Sequence, residues 1–182
     1  MLKFSDNPPM LCPWAKSVGE LQGRWWLAHT KARFEKVFAS DLLRRAVGYF
    51  LPMSKRVTYS SGKKRVGMVP LFTSYVFFNG THESRSAALA TNRLCRAIEV
   101  ADGERLTREL VMIEAALLVE PRLNCYGVPA IGERCRIRSG PFAHLEGKVV
   151  ERAKLARIVL EVSFLGQGAV IEIDADLLER LG

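Results

Sequence analysis

The chain has 182 residues, 48% of them hydrophobic, which suits one ordinary domain or two small ones with real cores and excludes a disordered protein. No window approaches the roughly twenty apolar residues of a membrane span, and residues 1–16 lack a basic start followed by an apolar segment, so no membrane helix or signal peptide is expected and the location is expected to be cytoplasmic. The net charge of +8 is uneven: residues 1–120 hold 18 Lys/Arg against 11 Asp/Glu, whereas residues 121–182 hold 9 against 8. A one-sided positive field favours a polyanion such as nucleic acid, although solubility alone also accounts for an excess of this size.

Residues 1–23 contain Pro8, Pro9 and Pro13 without hydrophobic periodicity and read as a mobile leader. Ordered structure is expected from Arg24, where Trp25-Trp26-Leu27-Ala28-His29 has strand composition. Thr30 then stands as an N-cap for a helix carrying Phe34, Val37, Phe38 and Leu42, with Glu35 early, Arg44-Arg45 late and Gly48 as the stop. Tyr49-Phe50-Leu51 ends at Pro52. Residues 55–65 read as a basic hairpin: Lys55, Arg56, Lys63, Lys64 and Arg65, no acid, and a turn at Ser60-Ser61-Gly62. Such a run is either a solvated face or a polyanion contact, and the absence of counter-charges raises the second reading.

The densest apolar run is 69–78. Its second half predicts a central strand covered on both faces, Tyr75 and Phe77 on one side and Val76 and Phe78 on the other. Phe72 and Tyr75 flank a polar Thr73-Ser74 step, so they are either core or the rim of an exposed apolar patch, which on a soluble protein means a partner. A short helix is expected over 84–92, a strand at Ile98-Glu99-Val100, and a helix capped by Thr107 with Leu110, Ile113 and Leu117 on one face, stopped by Pro121. Residues 121–131 read as a connector, and beyond it short alternating strands take over: Cys135 to Arg138, then Ile158, Leu160, Val162 and Phe164 on one face, then Ile171 and Ile173. So many short strands in so few residues need a small closed barrel.

Chemistry-bearing templates fail. Cys12, Cys95, Cys125 and Cys135 are widely spaced, no CxxC occurs, and His29, His82 and His144 lie apart, so no zinc site is expected and the cysteines read as reduced structural thiols. There is no GxSxG or phosphate loop, and Gly166-Gln167-Gly168 is not followed by a helix. No catalytic residue, cofactor or metal is expected, and the protein reads as a non-enzyme.

Two stretches, in order, resemble the bacterial NusG/RfaH family of transcription elongation factors. The first is Trp25-Trp26-Leu27-Ala28-His29-Thr30 running into the helix with Glu35, then Leu51-Pro52-Met53, the basic hairpin and Pro70 to Phe77. The second, Gly132 to Gly147, is similar to a KOW motif and is followed by Val162-Ser163-Phe164-Leu165-Gly166. The resemblance implies an α+β fold: an NGN domain over 24–120, an antiparallel sheet flanked by helices, then a linker over 121–131 and a five-stranded SH3-like KOW barrel over 132–182.

It further implies a factor that docks on the clamp of the largest RNA polymerase subunit, suppresses pausing and promotes read-through of terminators. The docking residues would be Trp26, His29, Phe72, Tyr75 and Phe77. Lys31 and Arg33, with Lys55, Arg56, Lys63, Lys64 and Arg65 of the hairpin, would meet non-template DNA or nascent RNA. Phe142, Phe164, Leu165 and Gln167 of the barrel would meet a small-subunit ribosomal protein or Rho, unless Phe142 and Phe164 only fill the barrel core. A monomer without membrane contact is expected. Many relatives have Pro-Gly where Thr73-Ser74 stands, a different stretch where Thr91 to Arg96 stands, and a basic residue within 167–169, which points to an operon-specific paralogue. An RNA-binding, ribosome-associated KOW protein is the alternative, and it predicts a basic barrel, where the charge count is nearly balanced.

Overall fold

A computed structural model describes residues 7–60, 63–127, 132–152 and 155–181. The expected turn at Ser61-Gly62 and the part of the connector around Pro129 lie outside them.

Four strands, β1 (Arg24–Thr30), β2 (Gly48–Phe50), β5 (Tyr75–Gly80) and β6 (Leu94–Glu99), form an antiparallel sheet in the order β2-β5-β1-β6. The apolar run at β5 therefore lies inside the sheet, as its composition requires. Because strand residues alternate between faces, Val76 and Phe78 join Trp26 and Ala28 on one face, under Phe38, Ala39 and Leu42 of α1 (Glu35–Arg44) and Ala88 of α2 (His82–Leu89). Phe77, Trp25 and Leu27 cover the other face, against Leu106, Leu110 and Ile113 of α3 (Gly103–Val119).

The helix boundaries differ from expectation in instructive ways. Thr30 completes β1 instead of capping α1; Phe34 holds the cap position without a side-chain bond, and the helix ends at Arg44, leaving Gly48 to begin β2. Asp102 caps α3 by accepting the Arg105 N–H at 3.0 Å. Thr107, expected as that cap, lies a turn further in, where its hydroxyl bonds the Gly103 carbonyl at 2.8 Å and accepts the Trp25 indole N–H at 2.9 Å. Residues 7–23 are packed rather than mobile. Cys12 and Val18 are fully buried, the Leu51 N–H bonds the Met10 carbonyl, and Glu114 of α3 accepts from Ser17 Oγ at 2.6 Å and from the Val18 N–H at 3.1 Å. Prolines there remove periodicity, not contacts; Trp14 itself stays 51% exposed.

A two-stranded ribbon, β3 (Met53–Ser60) with β4 (Lys63–Pro70), forms the basic hairpin as a sheet of its own. The remaining strands are β7 (Asn124–Gly127), β8 (Glu133–Ile137), β9 (Glu146–Arg152), β10 (Leu155–Val162), β11 (Gln167–Asp174) and β12 (Leu178–Arg180). They make a six-stranded antiparallel sheet in the order β12-β8-β9-β10-β11-β7, consistent with an SH3-like barrel. The extra strand relative to the expected five comes from the connector: residues 124–127 pair with β11 and so are not linker. Gly147 lies where β9 crosses β10, and a Cβ there would meet Ile158 Cγ2 at 2.5 Å and the Val159 carbonyl oxygen at 2.6 Å, so no larger residue fits. Ile158, Leu160 and Val162 share the buried face as expected, while Phe164 leaves the strand for a 3-10 turn (Ser163–Leu165) and stands 44% exposed.

Candidate functional site

Three loops meet at one end of the four-stranded sheet. His29 pairs with Tyr75 across β1 and β5, and their half-buried rings stack with centroids 5.2 Å apart and planes at 26°. Beyond them, the Thr30 N–H donates to the Ser74 carbonyl at 2.9 Å, and the Ser74 N–H donates to Glu35 Oε1 at 2.7 Å. Glu35, expected only to suit the helix dipole, is buried and anchors the turn before β5. The third loop joins through Lys31, whose N–H bonds the Arg93 carbonyl and whose Nζ bonds the Asn92 carbonyl, each at 2.9 Å.

This end concentrates backbone strain. Arg33 (φ 65°), Ser74 (φ 65°) and Asn92 (φ 56°) are all left-handed non-glycine residues, each held by its neighbours in a region that costs of order 1–3 kcal/mol. Lys31 and Arg33 are exposed. Arg93 lies with its guanidinium carbon 5.3 Å from the Phe34 ring centroid and its Nε 3.2 Å from Asp41 Oδ2. Sequence reading missed Phe34, Asp41, Asn92 and Arg93 as parts of this cluster; the signal was the unusual stretch Thr91 to Arg96.

Not every expected docking residue is at the surface. Trp26 is fully buried, stacked on Phe78 at 5.5 Å, because the interior position of β1 is covered by α1 and α2. Phe77 is equally buried on the α3 face, and Phe72 is only 1% exposed, edge-on to Phe77 at 6.0 Å. The exposed patch expected at Phe72 is therefore absent in this arrangement, for a physical reason: Phe72 and Phe77 belong to one buried cluster that continues through α3 into Ile158, Leu160 and Ile171 of the six-stranded sheet. His29 and Tyr75 keep partial access.

The ribbon stands apart from both sheets. Its base is fixed: Ser54 Oγ donates to the Leu123 carbonyl at 2.7 Å, the Lys55 N–H to the Pro121 carbonyl at 2.6 Å, and Arg56 Nη1 to Asn124 Oδ1 at 2.5 Å. Lys36 of α1 bonds the Met68 carbonyl and Asn7 Oδ1, and burial holds its ammonium below the ordinary lysine range. The Lys55 side chain at the base and Lys63, Lys64 and Arg65 further out are exposed.

A polar clasp joins α3 to the turn after β10. Buried Glu109 accepts the Ser163 N–H at 3.0 Å on Oε2 and the Ser163 hydroxyl at 2.6 Å on Oε1. Arg105 completes it, with Nε 3.0 Å from Glu109 Oε1 and Nη2 donating to Ser163 Oγ at 2.6 Å. The clasped turn carries Phe164 and Leu165. Gln167 follows, its Oε1 accepting from the Cys125 thiol at 3.2 Å, and Phe142 packs half-buried against the apolar cluster beside a 470 Å³ cleft that Val119, Arg122 and Ile171 also line. The four expected barrel contacts thus split: Phe164 is exposed, Leu165 and Gln167 are half-buried, and Phe142 is partly core.

Among the described residues no group of three His, Cys, Asp or Glu is placed to hold a metal, and no helix is long and apolar enough to cross a membrane. The NusG family model, "Transcription termination factor nusG", matches residues 23–118, more than half of the chain. The chain belongs to the NusG family. A solved structure described as "Domain interaction in Thermotoga maritima NusG" is similar in fold, with TM-score 0.53 at 16% identity, covering 88% of this chain and 98% of that one. An MjSpt4:Spt5 complex in its conformation B aligns at TM-score 0.27 and 15% identity, covering 87% of this chain and 97% of that one. No curated protein sequence matches. This NusG-family chain is a transcription elongation factor, and its α+β fold has the NGN-type sheet and helices followed by the separate all-β sheet.

Proposed function

We propose that this protein binds the clamp of the largest RNA polymerase subunit through the loop end of its NGN sheet, suppresses pausing and promotes terminator read-through at particular operons, as a specialised NusG paralogue. The observation that carries the reading is the three-loop cluster. It offers a stacked His29–Tyr75 pair for a protein surface, with exposed Lys31 and Arg33 beside it for the phosphates of the displaced DNA strand. Such a factor needs no chemistry: by binding the closed clamp more tightly than the open one it shifts that equilibrium by the difference in affinity.

The buried state of Phe72 narrows the docking surface to what remains accessible, His29 and Tyr75. The turn that would receive a ribosomal protein or Rho, with Phe164 and Leu165, is the turn clasped by Glu109, so a barrel partner and the clasp compete for one loop. The basic balance also supports this reading over a ribosomal RNA-binding one, because the excess charge lies in residues 1–120.

The test is a polymerase pull-down with His29→Ala and Tyr75→Ala combined. Loss of binding with an unchanged circular dichroism spectrum is expected. Full retention would remove this end of the sheet as the docking surface.

A further inference from the structure

The ribbon carries a feature that the basic residues alone do not require. Tyr59 is 74% exposed, and register sets its company: it lies opposite Lys64, Val57 lies opposite Val66, and Lys55 opposite Met68, all on one face of the ribbon. That face looks onto the end of α3. Lys55, Val57, Lys64 and Val66 line a groove of about 410 Å³ whose other wall includes Val119 and Arg122. The groove's acid is already taken, since Glu120 accepts from Arg122 Nε at 3.1 Å and from the Arg122 N–H at 2.8 Å, which holds its carboxyl below the usual range. The opposite face of the ribbon adds Arg56, Arg65 and Lys63, and neither strand contains an acid.

We propose that the ribbon face bearing Tyr59 binds a single strand of nucleic acid, an unpaired base stacking on the Tyr59 ring while adjoining phosphates meet Lys55 and Lys64. The inference rests on the reading of the hairpin as nucleic-acid-binding and names its ligand and its central residue.

Three observations select this occupant. Cations on both faces without a counter-charge suit a ligand that carries one charge per repeat unit. An aromatic ring standing free beside them adds a stacking platform, which an unpaired base can use and a paired one, with both its faces already stacked, cannot. The groove floor of Val57, Val66 and Val119 is apolar and accepts a base or sugar edge rather than a phosphate.

The test is fluorescence anisotropy of the full chain with a short labelled oligothymidine, with oligouridine and a duplex of equal length as parallel arms. Tyr59→Ala is expected to weaken oligothymidine binding about tenfold, Tyr59→Leu equally, and Tyr59→Phe to bind as the wild type does, because the ring and not the hydroxyl stacks. Unchanged binding by Tyr59→Ala, with binding lost on Lys63→Ala, Lys64→Ala and Arg65→Ala together, overturns the stacking while leaving a charged nucleic-acid surface. Duplex bound as tightly as single strand, or displacement of the oligonucleotide by an acidic peptide of equal charge, overturns it in favour of charge alone. Oligothymidine bound more tightly than oligouridine assigns the strand to DNA, and the reverse assigns it to RNA. A wild-type chain that binds no oligonucleotide overturns the nucleic-acid reading of the hairpin itself.

Discussion

Phe72 and Tyr59 belong to neighbouring stretches of the chain, both aromatic and both candidates for a partner, yet one is 1% and the other 74% exposed. The difference lies in what each strand has to lean on. Strand β5 has sheet neighbours on both sides and helices over both faces, so the aromatic residues in and before it are absorbed into the core. The β3–β4 ribbon pairs only with itself, and an isolated two-stranded ribbon is marginal without support at its base. Its outer half therefore keeps its side chains in solvent. An apolar run announces burial only where topology supplies a cover.

Truncating each ring to alanine separates the two environments. Phe72→Ala removes a buried ring and is expected to cost about 3–5 kcal/mol, read as a lower urea midpoint. Tyr59→Ala is expected to stay within about 0.5 kcal/mol of the wild type. Equal costs would show that the ribbon is packed or that the β5 face is open. Next in size is the clasp that ties α3 to the six-stranded sheet. Glu109→Ala leaves the Ser163 N–H, the Ser163 hydroxyl and Arg105 Nε without their acceptor and is expected to weaken the contact by about 2 kcal/mol. NMR relaxation would then report separate tumbling of the two halves, and unchanged tumbling would mean that the apolar cluster alone holds them.

The ribbon side is sharpened by salt. Replacing Lys55 and Lys64 by alanine should lower the slope of log affinity for a single strand against log salt by roughly 1.4, about 0.7 per phosphate contact. An unchanged slope would place the phosphates elsewhere. The smallest effect concerns the turn before β5. Ser74 holds φ 65°, a conformation that glycine adopts freely, so Ser74→Gly relieves left-handed strain and is expected to stabilise by about 0.5 kcal/mol after the greater chain entropy of glycine is deducted. A loss of stability in urea would show that the hydroxyl, not the backbone, sets this position.

Most of the architecture was legible in the residues. The alternation of Tyr75, Val76, Phe77 and Phe78, the acid-free hairpin and the period-two strands after residue 132 each reported a local pattern that the fold keeps. What escaped depends on long-range partners. Glu35 reads as a helix-dipole residue until Ser74 is brought to it, and Thr30 reads as a cap until β6 extends the pairing of β1. Residues 7–23 lack periodicity but find Tyr49 and Glu114, and Asn124 to Gly127 look like linker until β11 offers an edge. At the site, the positive residues were visible, but the burial of Phe72 follows only from its packing with Phe77 and the clasp on Ser163 only from the meeting of α3 with the turn after β10.

Action on the elongating polymerase is measured by single-round transcription with the cognate enzyme, on templates with and without the leader of the gene cluster that encodes the protein. Longer read-through and shorter pauses on the native leader, lost in the His29→Ala and Tyr75→Ala variant, are the predicted result. Pause lifetimes and read-through that do not change on either template would contradict it.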